Sequence, residues 1–334
     1  MKNRKTEIAF FVLGLLTFGY LVSKFGVDHI LANIQKAQWS LVYIILVWFI
    51  VYVLNALAWR FALGDYGRTI AFPYLFMVTV SGFVINYVTP VVALGGEPYR
   101  VKALASGMGT QQSLSAVVLY RMVHLLGHML LLLTGIIVAL LYLSLPLPIA
   151  LLLSIAGVVV LTVIMMTISG HRYGVFERMK ILFGKTRLFR PISGRLQKYE
   201  SDLHIMDQLV TDAYRNKRNR YYLSVFLEYL SRACMGLEVY LILHGVGVEI
   251  TIPAALFLYV AYSLIINLLF FIPLNLGARE GGLYLGLGSL ALPPLLGVYL
   301  GVVMRIREFF WILLGLLFIL FTGQKDEKPS PKTL

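Results

Sequence analysis

A single cysteine, Cys234, excludes a disulfide framework and any cysteine-clustered metal site. Charge is nearly as scarce. Only 13% of residues are charged and just 16 are acidic, too few to solvate the surface of a soluble domain of this length. The apolar runs lack period-2 alternation, which excludes strands as the spanning element. No nucleotide or metal motif interrupts them. What is abundant is apolar side chain, 59% of 334 residues, with a mean hydropathy of +0.81. Lipid is therefore the solvent for most of the chain, and helices are the way its backbone satisfies itself.

The net charge of +13 would fit nucleic acid in a soluble protein. Here the basic residues sit beside spans, as the positive-inside rule requires of cytoplasmic loops, and nucleic acid is set aside. Six stretches are long enough to cross a bilayer: 8–24, 40–63, 113–143, 147–169, 221–243 and 295–321. Met1 to Gly26 has a basic start but no small-residue cleavage site after Tyr20, so it is expected to stay as the first helix. Two further apolar stretches, 73–94 and 253–272, are each followed by a Pro- and Gly-containing break.

Loop charge assigns those two. The segment 170–220 carries twelve basic residues from Arg172 to Arg220 and belongs in the cytoplasm of an inner-membrane protein, as does the basic N-terminus. The first two spans then go out and return, and the pair 113–143 and 147–169 turns at Pro146 and Pro148 to end at the basic loop. Residues 73–110 must enter and leave on the cytoplasmic side. With the tail 323–334 also inside, residues 253–292 enter and leave from the outer face. The expectation is an all-α polytopic membrane protein of six full spans and two re-entrant hairpins of opposite sense. Its inverted repeats are 1–145 and 146–322.

The hairpins match in sequence. Pro90, Gly95, Gly96 and Glu97 mark one tip; Pro273, Gly277, Arg279 and Glu280 mark the other. Proline stops a half-helix, glycine permits the turn, and the glutamate falls where free amides favour a carboxylate. Beyond each glutamate a span opens with a similar phrase, Val-Val-Leu-Tyr-Arg121 and Val-Val-Met-Arg305. A charge inside the bilayer costs roughly 2.5–3.5 kcal/mol on insertion scales, so Arg121, Arg305, Arg307 and Glu308 should be paired or face a cavity. Static Glu–Arg pairs are the competing explanation. His124 and His128 share a helical face with Arg121; without a third ligand nearby, no metal is expected, and lining the cavity or relaying protons are their open roles. Glu228 and Arg232 have the spacing of a structural i, i+4 pair. Residues 196–213 have the 3–4 spacing of an amphipathic helix.

Several of these residues carry a resemblance. Trp59-Arg60, Gly95-Gly96-Glu97-x-x-Arg100, Arg121, Pro273-x-x-x-Gly277-x-Arg279-Glu280 and Arg305 resemble the flippase-like membrane region of the lysylphosphatidylglycerol synthase (multiple peptide resistance factor) family. The resemblance implies two inverted repeats and movement of lipid between leaflets, with aminoacyl-phosphatidylglycerol or a polyprenyl-linked lipid as substrate. Full-length synthases of that family continue into a soluble aminoacyltransferase domain, whereas this chain stops at Leu334. The expected activity is therefore translocation and not an enzyme's chemistry, with no cofactor.

Half-helix termini and arginines suit an anionic head group. The residues expected to hold it are Glu97, Arg100, Arg121, His124, Arg279, Glu280, Arg305, Arg307 and Glu308. Two alternatives stand beside this reading: a membrane-embedded transferase or phosphatase for lipid head groups, and a scaffold subunit that moves nothing. Self-association in the bilayer is left open.

Overall fold

The computed structural model describes residues 27–88, 95–173, 217–269, 275 and 277–323, with 208, 211 and 214 as single residues. The expected span 8–24, Pro90, Pro273, most of 196–213 and the tail from 324 lie outside these residues. The described helices are α1 (Val27–Ala62), α2 (Tyr66–Thr69), α3 (Phe72–Val88), α4 (Gly96–Met108) and α5 (Thr110–Tyr142). They continue with α6 (Leu147–Tyr173), α7 (Arg218–Gly245), α8 (Ile252–Leu268), α9 (Ala278–Ser289) and α10 (Leu296–Gly323). No strand occurs among the described residues, so the all-α membrane expectation holds.

Three helical segments are long and apolar enough to span by composition: Trp39–Ala62, Thr110–Tyr142 and Leu147–Ser169. The helices α7 and α10 are as long, but charged residues interrupt them. The expected 73–110 unit is two helices of 17 and 13 residues, and 253–292 is two of 17 and 12. Helix α8 starts cleanly because Thr251 Oγ1 accepts the Ala254 N–H and Pro253 occupies the first turn, where no donor is needed.

Packing follows one scheme twice. Helix α3 contacts α10, and α8 contacts α5; α4 lies on α5, and α9 on α10. Likewise α1 contacts α10 and α7 contacts α5, while α1 and α7 form the most extensive seam. In lipid the apolar effect does not drive helices together, so polar bonds and close backbone approach must specify the seam. Helix α7 supplies buried Ser224, Glu228, Ser231 and Glu238 along it. Ser224 Oγ donates to the Ala58 carbonyl at 2.7 Å, Asn55 Nδ2 to Ser231 Oγ at 2.8 Å and to Glu228 Oε2 at 3.2 Å. Such bonds average about 0.6 kcal/mol each in a bilayer, so their number matters more than any one.

The two breaks use glycine differently. Gly277 has φ +79°, a left-handed turn residue as expected. Gly95 and Gly96 are right-handed, and Gly96 serves close approach instead: a Cβ there would lie 2.1 Å from the Gly82 carbonyl oxygen. Gly96→Ala should therefore destabilise the protein by about 1–3 kcal/mol through overpacking. The comparison is Gly281→Ala, where a Cβ meets nothing within 4 Å. Thermal midpoints in detergent that fall equally for both variants would refute this account.

Candidate functional site: a charged cavity between the broken helices

At the first break, Asn86 caps α4. Its Oδ1 accepts the Gly96 N–H at 2.7 Å and its Nδ2 donates to Glu97 Oε1 at 3.1 Å. Glu97 then faces Arg121 Nε at 3.1 Å and Arg100 Nη1 at 3.5 Å. At the second break Glu280 caps its own helix, accepting the Gly277 N–H at 3.0 Å through Oε2. Its other oxygen takes Arg305 Nε at 2.9 Å and Nη2 at 2.8 Å, while Arg305 also reaches the Asn275 carbonyl. The matched residues of the two halves thus form matched ion pairs, Glu97–Arg121 and Glu280–Arg305.

Between the breaks lies a cavity of about 680 Å³. Glu97, Arg121, His124, Arg279, Arg307 and Glu308 line it, and so do Arg232, His128 and Asn267. Guanidinium outnumbers carboxylate on this wall. The remainder is largely aliphatic and aromatic, including Leu114, Val117, Leu125, Ile266 and Tyr262. Arg121 is the accessible cation, with 37% of its side chain exposed. Arg279 pairs with Glu308 at 2.6 Å, and its buried Nη1 has no hydrogen-bond partner among the described residues.

Arg100, Glu280 and Arg305 do not line the cavity. Arg100 is fully buried, its guanidinium over the Phe83 ring at 4.6 Å with Trp59 and Tyr120 alongside. Its cation–π contacts and the Thr79 carbonyl take the place of a ligand.

The sequence expectation named Arg307 and Glu308 but missed Glu238, the carboxylate at the centre of their polar cluster. Glu238, wholly buried on α7, takes Arg307 through both oxygens, Nε to Oε1 at 3.0 Å and Nη2 to Oε2 at 3.2 Å. Trp48 Nε1 donates to the same carboxylate at 2.8 Å, and its ring lies 3.7 Å from the Arg307 guanidinium. Glu308 adjoins Arg307 and accepts from Tyr87 Oη. Glu228 is drawn off its helix to Asn55 and His124 rather than serving only as an i, i+4 partner. Reading every charge inside an apolar span as a cavity candidate would have found Glu238.

Outside the spans, Asp65 joins the end of α1 to the start of α7. It pairs with Arg220 at 2.6 Å and Lys217 at 3.5 Å. The Arg220 hydrogen bond holds the Asp65 carboxyl below its usual range, so the tie contributes fully above that range and is lost only as pH falls on through the lowered value.

A bundle of long apolar helices with a guanidinium-rich cavity between paired helix breaks defines a polytopic membrane protein. The chain belongs to the lysylphosphatidylglycerol synthase TM region family, whose model matches residues 7–315. That membership corrects one expectation. The family takes its name from a synthase, an enzyme, so the exclusion of enzymatic function does not stand. No curated protein and no solved structure matches the chain.

Proposed function

We propose that this chain moves an anionic or amphiphilic lipid with a phosphodiester head between the leaflets of the inner membrane, with the 680 Å³ cavity as the head-group site. The carrying observation is the composition of that cavity: Arg121, Arg232, Arg279 and Arg307 against Glu97 and Glu308, set in apolar walls. A phosphodiester matches the guanidiniums and acyl chains match the walls. The inverted-repeat reading has support from the twofold packing scheme, with α1, α3, α4 and α5 in one half and α7 to α10 in the other. Helix α6 stands between them and, in this reading, opens the second repeat, 146–322. Re-entrance has support from length. At 1.5 Å per residue the 13-residue α4 and 12-residue α9 extend about 20 Å, short of a hydrocarbon core of about 30 Å.

The orientation that fits puts the 170–220 loop and both termini in the cytoplasm. The family's name favours aminoacyl-phosphatidylglycerol over a polyprenyl lipid as the substrate. It also favours one second reading, in which the cavity holds a lipid while its head group is modified. Proteoliposomes carrying phosphatidylglycerol labelled in one leaflet test the first reading. Exchange should be faster than in protein-free vesicles; equal rates would sink it. Mass spectrometry of the same lipids would reveal head-group chemistry.

A further inference from the structure

His124 stands at the cavity wall between two α7 side chains one helical turn apart. Its Nδ1 lies 2.7 Å from Glu228 Oε2, and Arg232 Nη2 bonds its Nε2. A guanidinium offers only donors and a carboxylate only acceptors. With Glu228 ionised, its Oε2 accepts from Asn55 Nδ2 and from a hydrogen on His124 Nδ1. The imidazole is therefore neutral, with a hydrogen on Nδ1 and a lone pair on Nε2 aimed at Arg232. Among the described residues Arg232 has no carboxylate partner, and its buried Nε has no hydrogen-bond partner.

This arrangement has two states. A proton taken from water onto Nε2 replaces the lone pair with a donor, and the bond to Arg232 is lost. Two cations then face each other, and the space open to both is the cavity they line. There Arg232 can meet an anionic head group. In the other direction, a head group that draws Arg232 away frees Nε2 and adds a negative charge beside it. From this geometry we propose that His124 and Arg232 form a proton-binding switch that couples uptake of one proton to binding of an anionic lipid head group. The coupling rests on the lipid-binding reading above.

The surroundings support the sign of the coupling. Helix α7 presents Glu228 and Arg232; α4 presents Arg100 and Glu97; α5 itself adds Tyr120, Arg121 and His128; α8 adds Tyr259. Helix α3 contributes only the Phe83 ring, 5.3 Å away, and α1 contributes Asn55 behind Glu228. Helix α6 has no titratable side chain between 147 and 169. The guanidiniums repel an imidazolium and attract an anion, so proton and anion each favour the other. Moved together, the proton offsets the charge of the phosphodiester in a region of low dielectric. On release, the proton returns to water and Arg232 returns to Nε2.

The test uses the full chain in detergent with short-chain phosphatidylglycerol as the probe, whose phosphodiester stays ionised at neutral pH. Binding should take up roughly one proton per lipid near neutrality, read by an indicator dye in weak buffer. Affinity should rise as pH falls, approaching tenfold per pH unit. In His124→Gln the amide can still accept from Arg232 and donate to Glu228, but it cannot take a proton. Uptake should vanish and the pH slope should flatten, whatever the affinity that remains. If that variant fails to fold, Arg232→Gln should bind more weakly and also without proton uptake. Wild-type binding without proton uptake, or full uptake in either variant, overturns the coupling and leaves the lipid site standing. No binding by the wild type overturns the lipid-site reading and the coupling with it.

Discussion

Replacing Glu238 by leucine should cost the folded protein about 3–5 kcal/mol, the loss expected when one partner of a buried ion pair is removed. Glu238 has no exposed surface and Arg307 is 4% exposed, so neither the cavity nor Glu308 at 3.8 Å restores the two hydrogen bonds that the carboxylate accepts. The Trp48 indole N–H loses its acceptor in the same step, leaving a second buried donor unsatisfied. Stacking of Arg307 on Trp48 survives and offsets part of the loss, up to about 2 kcal/mol for a desolvated contact. The double variant Glu238→Leu, Arg307→Leu should recover most of the stability, because the pair's own desolvation is removed with it. Thermal unfolding in detergent decides the matter. A single variant as stable as the wild type would mean that cavity water or Glu308 satisfies Arg307, and that Glu238 does not hold α10 to α7.

That pair also shows where sequence reading runs out. The helices were legible because runs such as Trp39–Ala62 have no other stable form in lipid. Glu97–Arg121 and Glu280–Arg305 were legible because charge inside a span is costly and the two halves repeat its spacing. Glu238 and Arg307 lie 69 residues apart and have no counterpart in the first half; only the folded arrangement of α7 against α10 makes them partners. Arg100 fits the family motif as a binding residue, yet Trp59, Phe83 and Tyr120 enclose it. Nothing in its local sequence reports that enclosure, since Trp59 and Phe83 come from other helices. Gly96 was legible as a glycine the fold needs, but for turning rather than for the approach of Gly82. Local sequence registers a missing side chain without saying which neighbour requires its absence.

The same distinction separates two arginines that sequence treats as equivalent. Arg121 and Arg305 hold matched places in the two halves, and both pair with the glutamate of the nearer break. Their surroundings differ. Arg121 faces the cavity with 37% of its side chain exposed, and Glu97 keeps Asn86 and Arg100 when Arg121 is gone. Arg121→Gln should therefore lower stability by less than about 1 kcal/mol, as for other partly solvated pairs. Losing a charge-assisted bond to a phosphodiester removes about 1.5–3 kcal/mol of binding, so affinity for anionic lipid should fall roughly tenfold to a hundredfold. Arg305 is 2% exposed and lies beside the cavity, not on it, holding Glu280 and the Asn275 carbonyl across the second break. Arg305→Gln should cost about 3–5 kcal/mol of folding, and any fall in lipid exchange should track the loss of folded protein. Stability and lipid affinity measured on both variants give a crossed pattern if the cavity is the head-group site. If Arg121→Gln instead unfolds the protein while Arg305→Gln selectively abolishes binding, the head group sits at the second break, and the cavity has another purpose.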